Sequence, residues 1–189
     1  MIDLGPAAGR VVDLLAGIDD SQLGKPTPCP DTTVGDLIDH IDTLAVAFAA
    51  KADKREDVAS GPPPRPNAAN LEPGWRHRIA HDVDTLAAAW REPSAWVGVT
   101  TAGGLEFPAE VAGVIALDEL VVHGWDLAVA TGQPYNATDE EIAAATNLVS
   151  NFPAPRDGSL FGPVVPVADD APALDRLIGL AGRDPSWGP

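Results

Sequence analysis

Residues 117–132 read LDELVVHGWDLAVATG. Apart from a few charged residues the run is built largely from valine, leucine and alanine, which reads as a strongly apolar helix. Gly132 closes it in the C′ manner and Pro108 suits its first turn, which predicts a helix from about residue 108 to residue 131. Glu119 and His123 stand four residues apart inside this greasy stretch. At about 100° per residue they lie within roughly 40° of each other, on a face shared with the small side chains of Ala112, Ala116 and Ala130. An unpaired buried carboxylate costs about 3–5 kcal/mol. Glu119 therefore calls for a partner, either His123 itself or an ion held with the help of a facing helix.

Near the N-terminus a first helix is predicted over residues 6–17, with Val11, Val12, Leu14 and Leu15 inward. The segment GKPTPCPD breaks it. Thr33 with Asp36 three residues later marks the start of a second helix running to about Ala52, with a core stripe of Val34, Leu37, Ile38, Ile41, Leu44, Ala45 and Phe48. EDVASGPPPRPNAAN, residues 56–70, reads as a long exposed connector. A third helix follows over about 74–91, and WVGVTTAGGLEFPAE reads as an irregular hairpin or loop around residues 102–104. Thr138 and Glu141 form a capping box for a fifth helix to about Asn151. FPAPRDGSLFGPVVPV is again broken by proline, and a last short helix spans 173–181, stopped by Gly182. The expectation is an all-α chain: a four-helix bundle over residues 1–133, with 134–189 as a helical C-terminal extension packed on it in one structural domain.

His40 lies at the edge of the second helix's apolar stripe, beside Leu37 and Leu44, and can face inward. Together with Glu119 and His123 it makes a candidate three-ligand metal site. Imidazole and carboxylate donors suit zinc or nickel, with positions left open for water or substrate. The competing reading is a plain Glu119–His123 ion pair with His40 an ordinary boundary histidine. His77 and His81 repeat the four-residue spacing, but Ile79, Val83, Leu86 and Trp90 define the other face of their helix, so they point to solvent. Asp126 is read as a helix-surface or tail-contacting acid, or as an acceptor orienting a ligand histidine. Asp118 and Trp125 lie well around the cylinder, Trp125 as packing. Arg176 and Arg183 are expected to salt-bridge the acidic body. Cys29 is expected to be an inert thiol remote from the metal, because His40 sits about 10 Å along its helix from Thr33 and Cys29 precedes both.

The chain has 189 residues, enough for one domain with a proper core. A formal charge of −16 repels nucleic acid and anionic membranes. One cysteine allows no internal disulfide, the N-terminus lacks the basic region of a signal peptide, and no run of about 18 apolar residues is free of charge. A cytoplasmic protein is expected.

TPCPDTTVGDLIDHID, LDELVVHGWDLAVATGQP and the tail FGPVVPVADDAPALDRLIGLAGRDPSW together resemble the DinB-like metal-binding family of actinobacteria that includes the mycothiol-dependent maleylpyruvate isomerases. The likeness covers nearly the whole chain, and ELVVHGWDLA is its most specific element. The resemblance implies a bundle holding a divalent metal, usually zinc, through one histidine of the second helix and an acid and a histidine of the fourth. Matched to this sequence, those positions are His40, Glu119 and His123. It further implies mycothiol as co-substrate and a small electrophile as substrate, used in S-transfer or isomerisation; non-catalytic, metal-dependent binding of a small ligand or a stress role is the alternative. Thr32 stands where the family commonly has tryptophan, and a short helical tail stands where the isomerase has a separate C-terminal domain. A homodimer through exposed helix faces is a further expectation.

Overall fold

Thr33 starts the second helix as its sequence requires: its hydroxyl accepts from the Asp36 amide at 3.2 Å, and its own amide donates to Asp36 Oδ2 at 3.0 Å. In the computed structural model, which describes residues 1–55, 58, 64–102, 105–151, 156 and 161–188, the chain forms α1 (Gly5–Gly17), α2 (Val34–Ala52), α3 (Trp75–Ala89), β1 (Val99–Ala102), β2 (Leu105–Pro108), α4 (Ala109–Thr131), α5 (Asp139–Asn151) and α6 (Ala173–Leu180). The principal contacts join α1 to α3, α3 to α2, α2 to α4 and α4 back to α1, so the four helices close a ring. α5 packs on α4, and α6 packs on α5.

This arrangement explains why α4 is apolar all round. One side of α4 meets α1 and α2, and α5 lies on another, leaving 109, 112–113, 116–118, 120–128 and 130 buried. The core joins Val11, Leu15, Leu37, Ile38, Ile79, Val83, Leu117 and Val121, with Trp90 held by donating from Nε1 to the Phe48 carbonyl at 3.0 Å. All-α describes the result, with one small addition. β1 and β2 form an antiparallel hairpin with Val99 opposite Pro108, so Pro108 ends a strand and α4 begins one residue later than expected. The expected hairpin tip at 103–104 lies outside the described residues, as do 56–57 and 59–63 of the connector and 152–155 and 157–160 of the second proline-broken stretch. Among the described residues no helix is long and apolar enough to cross a membrane.

α5 carries its expected cap: the Thr138 amide donates to Glu141 Oε2 at 2.7 Å and the Glu141 amide donates to Thr138 Oγ1 at 3.3 Å. After α6 the chain turns through Gly182 at φ 86°, and a Cβ there would stand 2.8–2.9 Å from the backbone of Gly162. Both the left-handed conformation and the close approach demand glycine. Gly182→Ala is expected to lose about 1–3 kcal/mol of stability in urea unfolding; a midpoint equal to that of the parent would contradict this account of the turn.

Candidate metal centre

α2 and α4 lie side by side, and the turn of each helix sets the directions of three side chains. His40 comes from the middle of α2, and Glu119 and His123, one helical turn apart, from the middle of α4. Glu119 Oε2 lies 3.0 Å from His123 Nε2 and 3.9 Å from His40 Nε2. The imidazole rings meet edge to face, with centroids 5.1 Å apart. A donor atom from each of the three lies within 4.8 Å of the others. Donors around a tetrahedral zinc with bonds of about 2.0–2.1 Å stand roughly 3.3 Å apart, a spacing that the observed 3.0 and 3.9 Å bracket. The donor set and its spacing fit a divalent ion. They also form a hydrogen-bonded ion pair, as the simpler reading of the sequence requires.

Electrostatics divides the two histidines. Burial, reinforced by the nearby His123, pushes His40 below the usual histidine value. For His123 burial acts in the same direction, but hydrogen bonds to Asp126, Cys29 and Glu119 outweigh it and raise the pKa well above 6.5. Burial would lift Glu119, yet the hydrogen bond and charge of His123 hold its carboxyl below the usual range. Asp118, placed well around the cylinder by its spacing, is also buried. Burial and the charge of Glu119 push it up to about 8, and its Oδ1 has no hydrogen-bond partner among the described residues.

Behind His123 stands a second group of side chains. Its Nδ1 is 2.9 Å from Asp126 Oδ2. A carboxylate only accepts, so Nδ1–H donates and Nε2 is turned toward Glu119 and His40. Asp126 is wholly buried, not a surface acid, and it touches the tail as well: Arg183 Nη2 donates to its Oδ2 at 3.2 Å. Cys29 overturns the expectation of remoteness. Its thiol donates to Asp126 Oδ2 at 3.2 Å, its sulfur lies 3.9 Å from His123 Nδ1, and it accepts from Arg183 Nη2 at 3.2 Å. The distance along α2 was a poor guide because residues 26–33 fold back on themselves. Thr27 donates from both its amide and its hydroxyl to the Thr32 carbonyl, and Pro26 bridges to Thr33. The loop thereby carries Cys29 sideways onto α4.

Arg183 makes the expected salt bridge, though to a buried acid of the site. Arg176 instead caps the carbonyls of Asp169 and Ala171. Trp125 is buried, whereas His77, His81 and Asp84 are exposed on α3, away from the cluster. A broad open groove between α5 and the tail, lined by Ile142, Thr146, Val165, Val167 and Leu180, contains neither histidine nor cysteine and is separate from the cluster.

The four helices thus form a bundle with an inward-facing His–Glu–His cluster between α2 and α4. The chain belongs to the mycothiol maleylpyruvate isomerase N-terminal domain family, whose sequence model matches residues 4–128. Two curated proteins of Mycobacterium tuberculosis, the uncharacterized proteins MT0763 (strain CDC 1551 / Oshkosh) and Rv0738 (strain ATCC 25618 / H37Rv), are each 29% identical over 179 residues, covering 90% of this chain and 90% of theirs. Among solved structures the chain is similar to the mycothiol-dependent maleylpyruvate isomerase, TM-score 0.52, and to a histidine-to-alanine variant of it, TM-score 0.58. Each is 18% identical and covers 77% of this chain, which spans 66% of the length of that one. This last likeness is one of fold.

Proposed function

We propose that the chain is a divalent-metal protein with His40, Glu119 and His123 as ligands, and that it uses mycothiol on a small electrophile, by S-transfer or by reversible addition and isomerisation. The observation that carries this reading is the convergence of three nitrogen and oxygen donors from two neighbouring helices. Family membership supplies the thiol. Zinc suits the donors best, with nickel next. Bound there, the ion supplies the Lewis acidity that lowers the pKa of a coordinating thiol.

The chain's own residues prepare the site. Asp126 keeps the Nδ1 proton of His123 and so directs Nε2 into the cluster. Ile41, Leu44, Phe48, Leu86, Ala116 and Leu120 line an apolar crevice against Glu119. Elemental analysis of protein purified without an affinity tag, followed by turnover of mycothiol with a generic electrophile, tests the proposal. Metal-depleted protein that retains full thiol-dependent activity would overturn it, whereas a stoichiometric metal without turnover would identify a ligand-sequestering protein.

The raised pKa of His123 gives a pH signature. In the metal-free protein its charged form stabilises the fold fully below the ordinary value of 6.5, and that contribution disappears as pH rises through the higher folded-state value. An ion taking Nε2 must displace this proton. Zinc affinity is therefore expected to rise about tenfold per pH unit near neutrality, with about one proton released per ion in calorimetry run in buffers of different ionisation enthalpy. A flat pH profile would show that His123 is not a ligand.

A further inference from the structure

The cluster behind His123 contains a cation supplied by the chain itself. Cys29 Sγ, His123 Nδ1 and an oxygen of Asp126 also lie within 4.8 Å of one another, an arrangement that would suit a second, softer metal ion. Arg183 takes that role. Its Nη2 stands 3.2 Å from both Cys29 Sγ and Asp126 Oδ2, and the burial of Asp126 leaves the pair little screening.

The geometry points to Arg183 as a positioning residue for His123, acting through Asp126, so that the C-terminal extension completes the outer sphere of the metal centre. The inference rests on the metal-site reading proposed above. Asp126 Oδ2 receives three donors at once: His123 Nδ1 at 2.9 Å, and the Cys29 thiol and Arg183 Nη2 each at 3.2 Å. These donors converge on Oδ2 from the 26–33 loop, from α4 and from the turn after α6 and anchor that oxygen, whereas the buried Oδ1 has no hydrogen-bond partner among the described residues. A carboxylate so fixed holds the imidazole in one tautomer and one orientation. Without Arg183, Asp126 would carry a buried charge balanced by His123 alone, and the ring would be free to follow it. The turn at Gly182 delivers Arg183 to this position, since the left-handed residue directly precedes it.

Co²⁺ binding tests the inference, read from affinity and from the visible ligand-field spectrum. Arg183→Met is expected to weaken Co²⁺ binding by about 10–100-fold and to alter the ligand-field band, with Arg183→Lys recovering part of both. Arg156→Met serves as a control for tail docking, because among the described residues Arg156 holds the Leu180 and Val149 carbonyls and the Phe161 ring, away from the cluster; its affinity and spectrum should match the parent. Asp126→Asn should reproduce the Arg183→Met phenotype, and the double variant should be no worse than either single one. Circular dichroism establishes that each variant is folded. If Arg183→Met falls to the unfolded state, Arg183→Gln, which keeps a donor and most of the volume but not the charge, takes its place against Arg156→Gln, and parent-like affinity and spectrum in Arg183→Gln would overturn the positioning role. A parent protein that binds no Co²⁺ would remove the metal reading and this inference with it. A parent that binds while Arg183→Met matches it, or while Arg156→Met loses as much, would overturn the positioning role and leave the metal site standing.

Discussion

His123→Ala is expected to lose roughly a thousandfold in zinc affinity, and thiol-dependent turnover with it. Apparent zinc-binding energies of about 10–16 kcal/mol shared over three or four ligands come to about 4 kcal/mol each, which sets that magnitude. His123 sits at the junction of both clusters, Nε2 toward Glu119 and Nδ1 toward Asp126. Its loss therefore removes a ligand and also the group that Asp126 orients. His40→Ala removes only a proposed ligand, at the more exposed side of the site, and should cost less. Glu119→Gln keeps shape and takes away charge, so it separates the charge of the site from its packing. Competition with a chromophoric chelator gives the affinities, and circular dichroism of the metal-free variants confirms folding. Were Glu119 and His123 only an ion pair, the substitutions would lower stability while the parent bound no zinc. Parent-like zinc affinity in His123→Ala would end the three-ligand proposal.

The contrast between the two clusters shows what a single sequence can reveal. His40, Glu119 and His123 share helical faces with residues whose burial is written in the local 3.6-residue pattern, so their convergence needs only two helices side by side. The capping boxes at Thr33 and Thr138 were equally legible, because each joins residues three positions apart. Cys29 and Arg183 are different. They lie 154 residues apart in the chain and meet through a folded-back loop and a glycine turn, features with no periodicity. Asp118 escaped notice for another reason. Its position on α4 gives no local sign of burial, yet in the fold it is 5% exposed, with Glu119, His123 and Arg183 as its charged neighbours. An α4 this rich in apolar residues signals an additional layer, but not which of its acids that layer covers.

How the extension is fastened to the bundle leads to the second large effect, in stability rather than binding. Glu141 of α5 is 2% exposed, and its Oε2 takes Arg10 Nη2 of α1 at 2.5 Å and the Thr138 amide at 2.7 Å. Arg10 also lies over the Tyr135 ring, 5.8 Å from its centroid, and the Tyr135 hydroxyl donates to the Val121 carbonyl of α4 at 2.8 Å. One carboxylate thus joins α1, the start of α5 and, through Tyr135, α4. Glu141→Ala leaves the Arg10 guanidinium without its buried partner and uncaps α5, so a loss of about 3–5 kcal/mol is expected. At about 2–4 °C per kcal/mol for a chain of this size, Tm falls by about 6–20 °C. Arg10→Met with Glu141→Leu removes both charges and should recover much of that loss, because a matched apolar pair avoids the desolvation cost borne by the ions. Thermal unfolding of the metal-free proteins measures both. A single variant within about 1 kcal/mol of the parent would mean that the pair behaves as a solvated surface bridge and contributes little to fastening the extension.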